Sequence, residues 1–195
     1  MVGEDGLCCA LGERLVQQAL PGWSLARASI NTGGITKFLP ALVRYAQQAQ
    51  HVQPVLCVAD TDMRCAVQLK NQWMPANSTD DFLLRFAVSE AESWLLADRE
   101  AIALFFGIAE ANVPRNPDSL DDPKLEILRL AKRSLGMLRR EMISPNDLQK
   151  PGTGYNVHLQ KFAREKWRPA AARLHSESLN RALLDVERLG RRTKY

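Results

Sequence analysis

Apolar residues recur along this chain in two rhythms, and each rhythm predicts an element. Between residues 6 and 20, Leu7, Cys8, Leu11, Leu15, Val16 and Ala19 fall at helical spacing, with Glu13, Arg14, Gln17 and Gln18 on the other side. Pro21-Gly22 stops that helix. Residues 23–30 predict a strand rich in small side chains, Asn31-Thr32-Gly33-Gly34 a turn, and residues 36–50 a helix carrying Phe38, Leu39, Leu42, Val43 and Ala46. Then comes an unbroken apolar run, Val55, Leu56, Cys57, Val58 and Ala59. It is partly β-branched and too short for an ordinary helix, the pattern of a strand buried on both faces. A helix over 63–73, a polar loop over 75–81 and a strand over 82–88 follow.

Ser89 with Glu92 three residues on reads as a capping box opening another helix. Strands and helices therefore alternate to about residue 107, which predicts an α/β fold with a largely parallel sheet flanked by helices. Beyond Gly107, Pro114, Pro117 and Pro123 punctuate a loop. Residues 123–140 then predict one helix with Leu125, Leu128, Ala131, Leu135 and Leu138 on its buried face. A loop over 144–154 precedes helices over 157–166 and 169–189, with no strand signal after Val88. The expected organisation is an α/β core over 1–107 and an α-helical C-terminal extension over 108–195, packed on that core as one compact unit.

Charged residues make up 25% of the chain and hydrophobic ones 46%, ordinary for a globular protein. No apolar run reaches the roughly 20 residues of a membrane helix, and no signal peptide is expected, since no basic stretch followed by an apolar one stands among the first residues. Cys8, Cys9, Cys57 and Cys65 lack C-x-x-C spacing and are expected as reduced thiols of a cytoplasmic protein. Charge is uneven. Residues 151–195 carry ten Lys or Arg against four Asp or Glu, a net +6, and the preceding residues carry sixteen against eighteen, a net −2. A basic tail on an acidic body suits a polyanionic partner, while a solvated helical surface is the plainer account.

Three acidic points fall where strands are expected to end: Glu4, then Asp60 and Asp62, then Glu90 and Glu92. In a parallel sheet these ends share one edge, where ligands collect. Carboxylates without His or Cys companions favour a hard cation such as Mg²⁺ or Mn²⁺, which activates phosphoryl chemistry. Each acid also has a structural account. Glu92 completes the capping box, Glu90 favours a helix N-terminus, Glu4 belongs to an exposed turn, and Asp60 and Asp62 initiate a turn after a strand. Gly33-Gly34 with Thr36 and Lys37 can offer N–H groups and a cation to a phosphate, or be a plain turn; it lacks the P-loop pattern. His51, His158 and His175 form no partner pattern and are expected on the surface or in packing.

A glutamate after the first strand and a D-x-D pair after a later hydrophobic strand resemble the Toprim arrangement of topoisomerases, primases and nucleases of the overcoming-lysogenization-defect type. That resemblance puts the glutamate on Glu4 and the pair on Asp60 and Asp62. More narrowly, the runs SEAESWLLAD from Ser89, DPK from Asp122 and GYN from Gly154, with the later W-x-P at Trp167 and S-x-S-L at Ser176, resemble a family of uncharacterised bacterial Toprim-like proteins. Members are often encoded beside ATPases, including in phage-defence loci.

The resemblance implies a metal-dependent nuclease with an ATPase partner. Asp60 and Asp62 would hold Mg²⁺ or Mn²⁺, Glu4 would be a further ligand or the general base, and Glu90 and Glu92 would complete a second position. Lys37, Lys161, Lys166 and Arg168 are the candidate phosphate contacts for DNA or RNA. Two other readings stand beside it: a catalytically inactive Toprim-like module that docks an ATPase or other protein, and a nucleic-acid-binding protein that uses its basic tail.

Overall fold

The computed structural model describes residues 1–192 as an α/β fold built on a four-stranded, all-parallel sheet. In chain order the elements are β1 (Val2–Gly3), α1 (Gly6–Ala19), β2 (Ile30–Asn31), α2 (Ile35–His51), β3 (Val55–Asp60), α3 (Ala66–Trp73) and β4 (Phe82–Ala87). After β4 come α4 (Glu92–Ala97), α5 (Arg99–Phe106), α6 (Pro123–Arg133), α7 (Gly136–Met142), α8 (Tyr155–Glu165) and the short α9 (Pro169–Ala172). The last element is α10 (Glu177–Arg192). The strand order is β2-β1-β3-β4, so the expected buried run is an inner strand and β4 is an edge.

Period-2 alternation sorts each strand between two cores. Leu56 and Val58 of β3 with Leu83 and Ala87 of β4 join a large cluster that includes Leu11 and Leu15 of α1, Trp94, Leu159, Phe162, Trp167 and Leu183. Val55, Cys57 and Ala59 with Phe82, Leu84 and Phe86 face the other way, against Phe38, Leu42 and Tyr45 of α2 and Trp73 of α3. The residues after 107 thus bury their apolar faces in the same cluster as α1 and the sheet. Gly3 lets α1 sit close against β1, because a Cβ there would stand 2.6 Å from both the backbone nitrogen and the sulfur of Cys9.

Several expectations are corrected. The second strand is two residues rather than 23–30, because Trp23 to Ser29 lack a partner long enough to pair with, β1 itself being only two residues. The helix expected over 123–140 breaks between Arg133 and Gly136, where Gly136 takes φ +68°. The helix expected to open at Ser89 begins at Glu92 and ends at Asp98, which in turn caps α5 by accepting from the Ala101 N–H at 3.3 Å. Helix α3 begins at Ala66 rather than residue 63, after a turn described below. Cys8, Cys9 and Cys57 are buried free thiols, whereas Cys65 is exposed. No helix among the described residues is long and apolar enough to cross a membrane.

Candidate functional site

β1 ends at Gly3, so Glu4 follows it directly, and Asp60 is the last residue of β3. Register then sets the tips side by side, with Gly3 opposite Val58 and Asp60 opposite Ala87. Glu4 is held twice: its N–H donates to the Val58 carbonyl at 3.0 Å, and its Oε2 accepts from the Asp60 N–H at 3.3 Å. Asp5 caps α1 by accepting from the Cys8 N–H at 2.7 Å, which points the positive end of that helix at the same edge.

The residue between the paired acids separates their roles. Thr61 is fully buried, and its Oγ1 accepts from the Ser89 N–H at 2.8 Å, latching the tip of β3 to the tip of β4. Asp62 and Met63 both take positive φ, at 47° and 63°, in a turn closed by the Arg64 N–H on the Thr61 carbonyl. Two such values in succession are the pattern of the type I′ class, and they are costly for residues other than glycine. The turn throws Asp62 outward, where Arg64 pairs with it at 3.4 Å. Asp60 stays inside. Its carboxylate accepts from the Cys8 thiol at 3.7 Å, the one side-chain donor that reaches it among the described residues.

Ser89 also has positive φ, 59°, and does not cap α4; its hydroxyl donates to the Leu120 carbonyl at 3.1 Å. The expected capping box is therefore absent, and Glu92 is free of that task. Glu92 is buried at 4% exposure and its Oε1 accepts from the Tyr155 hydroxyl at 2.9 Å. Glu90 instead caps α6 from outside: its Oε2 accepts from the Lys124 N–H at 2.7 Å, and its Oε1 lies 3.6 Å from the Lys124 ammonium. Pro123 and Asp122, which accepts from the Leu125 N–H, set the start of that helix.

These placements create a strongly negative edge. Burial pushes the Asp60 carboxyl well above the ordinary aspartate range, and the fields of Glu92, Asp5, Glu4 and Asp62 push it further. Glu4 is raised mainly by burial, with Asp62 and Asp5 adding to it against the Asp60 N–H and Arg64. Burial also raises Glu92, opposed by Lys124. An under-neutralised, oxygen-only donor set of this kind fits a hard cation in its chemistry. Its arrangement is less complete. No group of three His, Cys, Asp or Glu among the described residues is disposed to hold a metal ion, because Glu90 and Glu92 are engaged by Lys124 and Tyr155 and Asp62 turns away.

The sheet edge brings together Glu4, Asp60, Glu92 and, through Lys124, Glu90. Lys37 lies near it, one turn into α2, whose start is anchored by the Gly34 N–H on the Glu4 carbonyl at 2.9 Å. Lys37 has no ion-pair partner among the described residues. Arg168 belongs elsewhere: it binds the buried Asp98 through three nitrogens and Glu100 at 2.8 Å. Lys166 lines a shallow groove with Arg168 and Leu104, and Lys161 is exposed on α8. Neither makes a contact that ties it to the strand tips. Much of the basic tail is likewise paired: Arg164 with Glu13, Arg173 with Glu187, Arg181 with Glu177, Arg188 with Asp185 and Arg192 with Asp80. Lys194 lies outside the described residues.

Lys124 and Tyr155 contact the strand-tip acids, although the DPK and GYN runs that hold them do not by themselves mark either as a site residue. The helix start at Pro123 was the usable signal for Lys124. Nothing local marks Tyr155, whose role depends on how α8 packs. Comparison of the chain with protein-family models, curated proteins and solved structures finds no match.

Proposed function

We propose that this protein is a metal-dependent phosphodiester-cleaving enzyme of the Toprim-like class, acting on DNA or RNA as an effector subunit with an ATPase partner. The supporting observation is the Asp60 carboxylate: it sits among Glu4, Asp5, Asp62 and Glu92 and, among the described residues, has a thiol as its one side-chain donor. Acids crowded at one point cost the fold stability, whether as repelling charges or as carboxyls that must retain a proton. A bound cation would offset that cost. Asp60 and Glu4 would hold the ion, with Asp62 joining once its turn swings inward, and Glu92 and Glu90 would supply a further position or orient the others. Mg²⁺ or Mn²⁺ there supplies Lewis-acid polarisation of a phosphoryl oxygen and a more acidic bound water.

The chain's own groups do the rest. Thr61 fixes the spacing of the two strand tips, Tyr155 holds Glu92, and Lys37 with the start of α2 offers positive charge beside Glu4. A second reading, a catalytically inactive module that docks an ATPase or another protein, draws support from the engagement of Glu90 and Glu92 by protein partners. Calorimetric titration with Mn²⁺ separates the two. On the enzyme reading the wild type binds Mn²⁺ saturably, Asp60→Ala/Asp62→Ala does not, and Mn²⁺-dependent cleavage of a nucleic-acid substrate disappears with binding. No binding by the wild type rejects the enzyme reading.

A further inference from the structure

Positive charge left over by pairing gathers in one stretch. Residues 132–150 carry Lys132, Arg133, Arg139, Arg140 and Lys150 against Glu141 and Asp147, a net +3 where the whole chain has +4. Both acids are engaged: Glu141 lies 2.6 Å from the His158 ring and Asp147 3.3 Å from Lys150. Lys132, Arg133, Arg139 and Arg140 have no ion-pair partner among the described residues. The arginines of the C-terminal helices, by contrast, are largely paired with acids.

The same stretch holds large apolar side chains out in water. In α7 the half-buried Leu138 and the buried Met142, four residues apart, face the core, which turns Met137, Arg139 and Arg140 outward. Leu135 is 88% exposed and Met137 60%, on either side of Gly136, whose positive φ turns the chain from α6 into α7. Leu148, 55% exposed, stands in the loop that leaves α7, closed by the Ser144 N–H on the Lys150 carbonyl at 3.0 Å. That loop comes within reach of the end of α6. Asp147 is held low by the Gln149 N–H first and by Lys150, and the charge of Lys132 adds to this. Aliphatic tips thus project between unpaired cations.

We infer that the corner between α6 and α7, with the loop over 144–150, docks on an anionic phospholipid membrane: Leu135, Met137 and Leu148 enter the interface while the cations meet the headgroups. Nucleic acid would use the charge but leave the aliphatic tips without a role, and residues 132–150 contain no aromatic ring to stack on a base. A second copy of the chain would set one net +3 surface against another. The acidic strand tips do not oppose docking. They lie by Lys124 at the start of α6, and the 11 residues of that helix put about 16 Å between them and Arg133, well past a screening length of about 8 Å. The inference is independent of what the strand-tip acids bind.

The test is co-sedimentation of the full-length protein, in EDTA, with phosphatidylcholine vesicles made with and without phosphatidylserine, at low and high salt. Wild type is expected to bind the phosphatidylserine vesicles alone, and less at high salt. Arg139→Gln/Arg140→Gln should lower that partition about fivefold for each cation, about 25-fold for the pair. Leu135→Ser/Met137→Ser keeps the charge and should lower it at least about tenfold, the scale of two methylene groups leaving the acyl boundary. All four side chains are exposed, so both variants should unfold thermally as wild type does. Arg181→Gln/Arg191→Gln removes the same charge from α10 and should bind vesicles as wild type does. No binding to phosphatidylserine vesicles overturns the inference, as does an equal loss in the α10 variant, which would mark diffuse charge. So does binding to a short DNA duplex, in preference to vesicles, that needs Arg139 and Arg140 but ignores Leu135→Ser/Met137→Ser.

Discussion

Asp60 sits where burial and neighbouring acids both oppose its charge, and that cost has a testable sign. Burial and four neighbouring acids raise its carboxyl well above 3.8, the ordinary aspartate value. The folded protein therefore keeps a proton there at pH values where the unfolded chain has released it. Between those two values the native state binds more protons, so stability falls as pH rises. Glu4 and Glu92 are raised as well and contribute in the same direction. In EDTA, urea unfolding should show the wild type less stable at pH 8 than at pH 5, by at most about 1.4 kcal/mol per pH unit for each group titrating. Asp60→Asn keeps the shape and removes the charge. It should flatten part of that slope, exceed wild type in stability at pH 8, and lose any stabilisation by Mn²⁺. A variant that is weaker than wild type by the same amount at both pH values would show that Asp60 is a structural hydrogen-bonding group instead.

At the scale of elements, β4 poses the problem of an open edge. Ladder bonds to β3 use the residues in register with Asp81 and Ala87, so Leu84 and Phe86 point their backbone groups outward. Arg85 curls over this edge: Nη1 donates to the Leu84 carbonyl at 2.6 Å while the guanidinium pairs with Asp185 of α10. An inward-facing charge on an edge strand is a known guard against edge-to-edge pairing. Arg85→Val removes the guard and favours the strand, so the variant should sediment as larger species than wild type at equal concentration. Unchanged sedimentation would assign Arg85 to holding α10 alone. This edge also shows how far the sequence could be read. Strand β3 was legible because five consecutive apolar residues admit only one buried element, and the α/β order followed from alternation. The capping box at Ser89 was misread because the S-x-x-E pattern is local, whereas Ser89 answers to Thr61, twenty-eight residues away. Glu4, Asp60 and Glu92 could be placed at one edge from topology alone. Their engagement by Lys124 and Tyr155 could not, since it depends on how α6 and α8 pack.

For the whole molecule the question is whether residues 1–107 form a core to which the rest is added. The packing argues against it. Trp94 of α4 is fully buried, its indole N–H donates to Ser178 at 2.8 Å, and its carbonyl accepts from the indole of Trp167 at 2.9 Å. Leu11 and Leu15 of α1 lie in the same cluster as Leu159 and Phe162 of α8. Arg168 satisfies the buried Asp98 at the break between α4 and α5, where an unpaired charge would be costly. Removing residues 108–195 would therefore expose the apolar side of α1, β3 and α4 together, strip Asp98 of its partner and release Glu92 from Tyr155. Truncating one large buried aromatic to alanine typically costs about 3–5 kcal/mol, against a total stability of about 5–15 kcal/mol for a domain. The loss of Trp167, Tyr155 and Phe162 together is about as large as that whole margin. A protein ending at Gly107 should show no cooperative unfolding transition and should be degraded by protease under conditions that spare the full chain. A cooperative transition in the truncated protein would mean that the sheet and its first helices fold alone, and that the C-terminal helices are an attached partner of the site. On the packing seen here they are half of its walls, which makes the acidic edge a property of the entire chain.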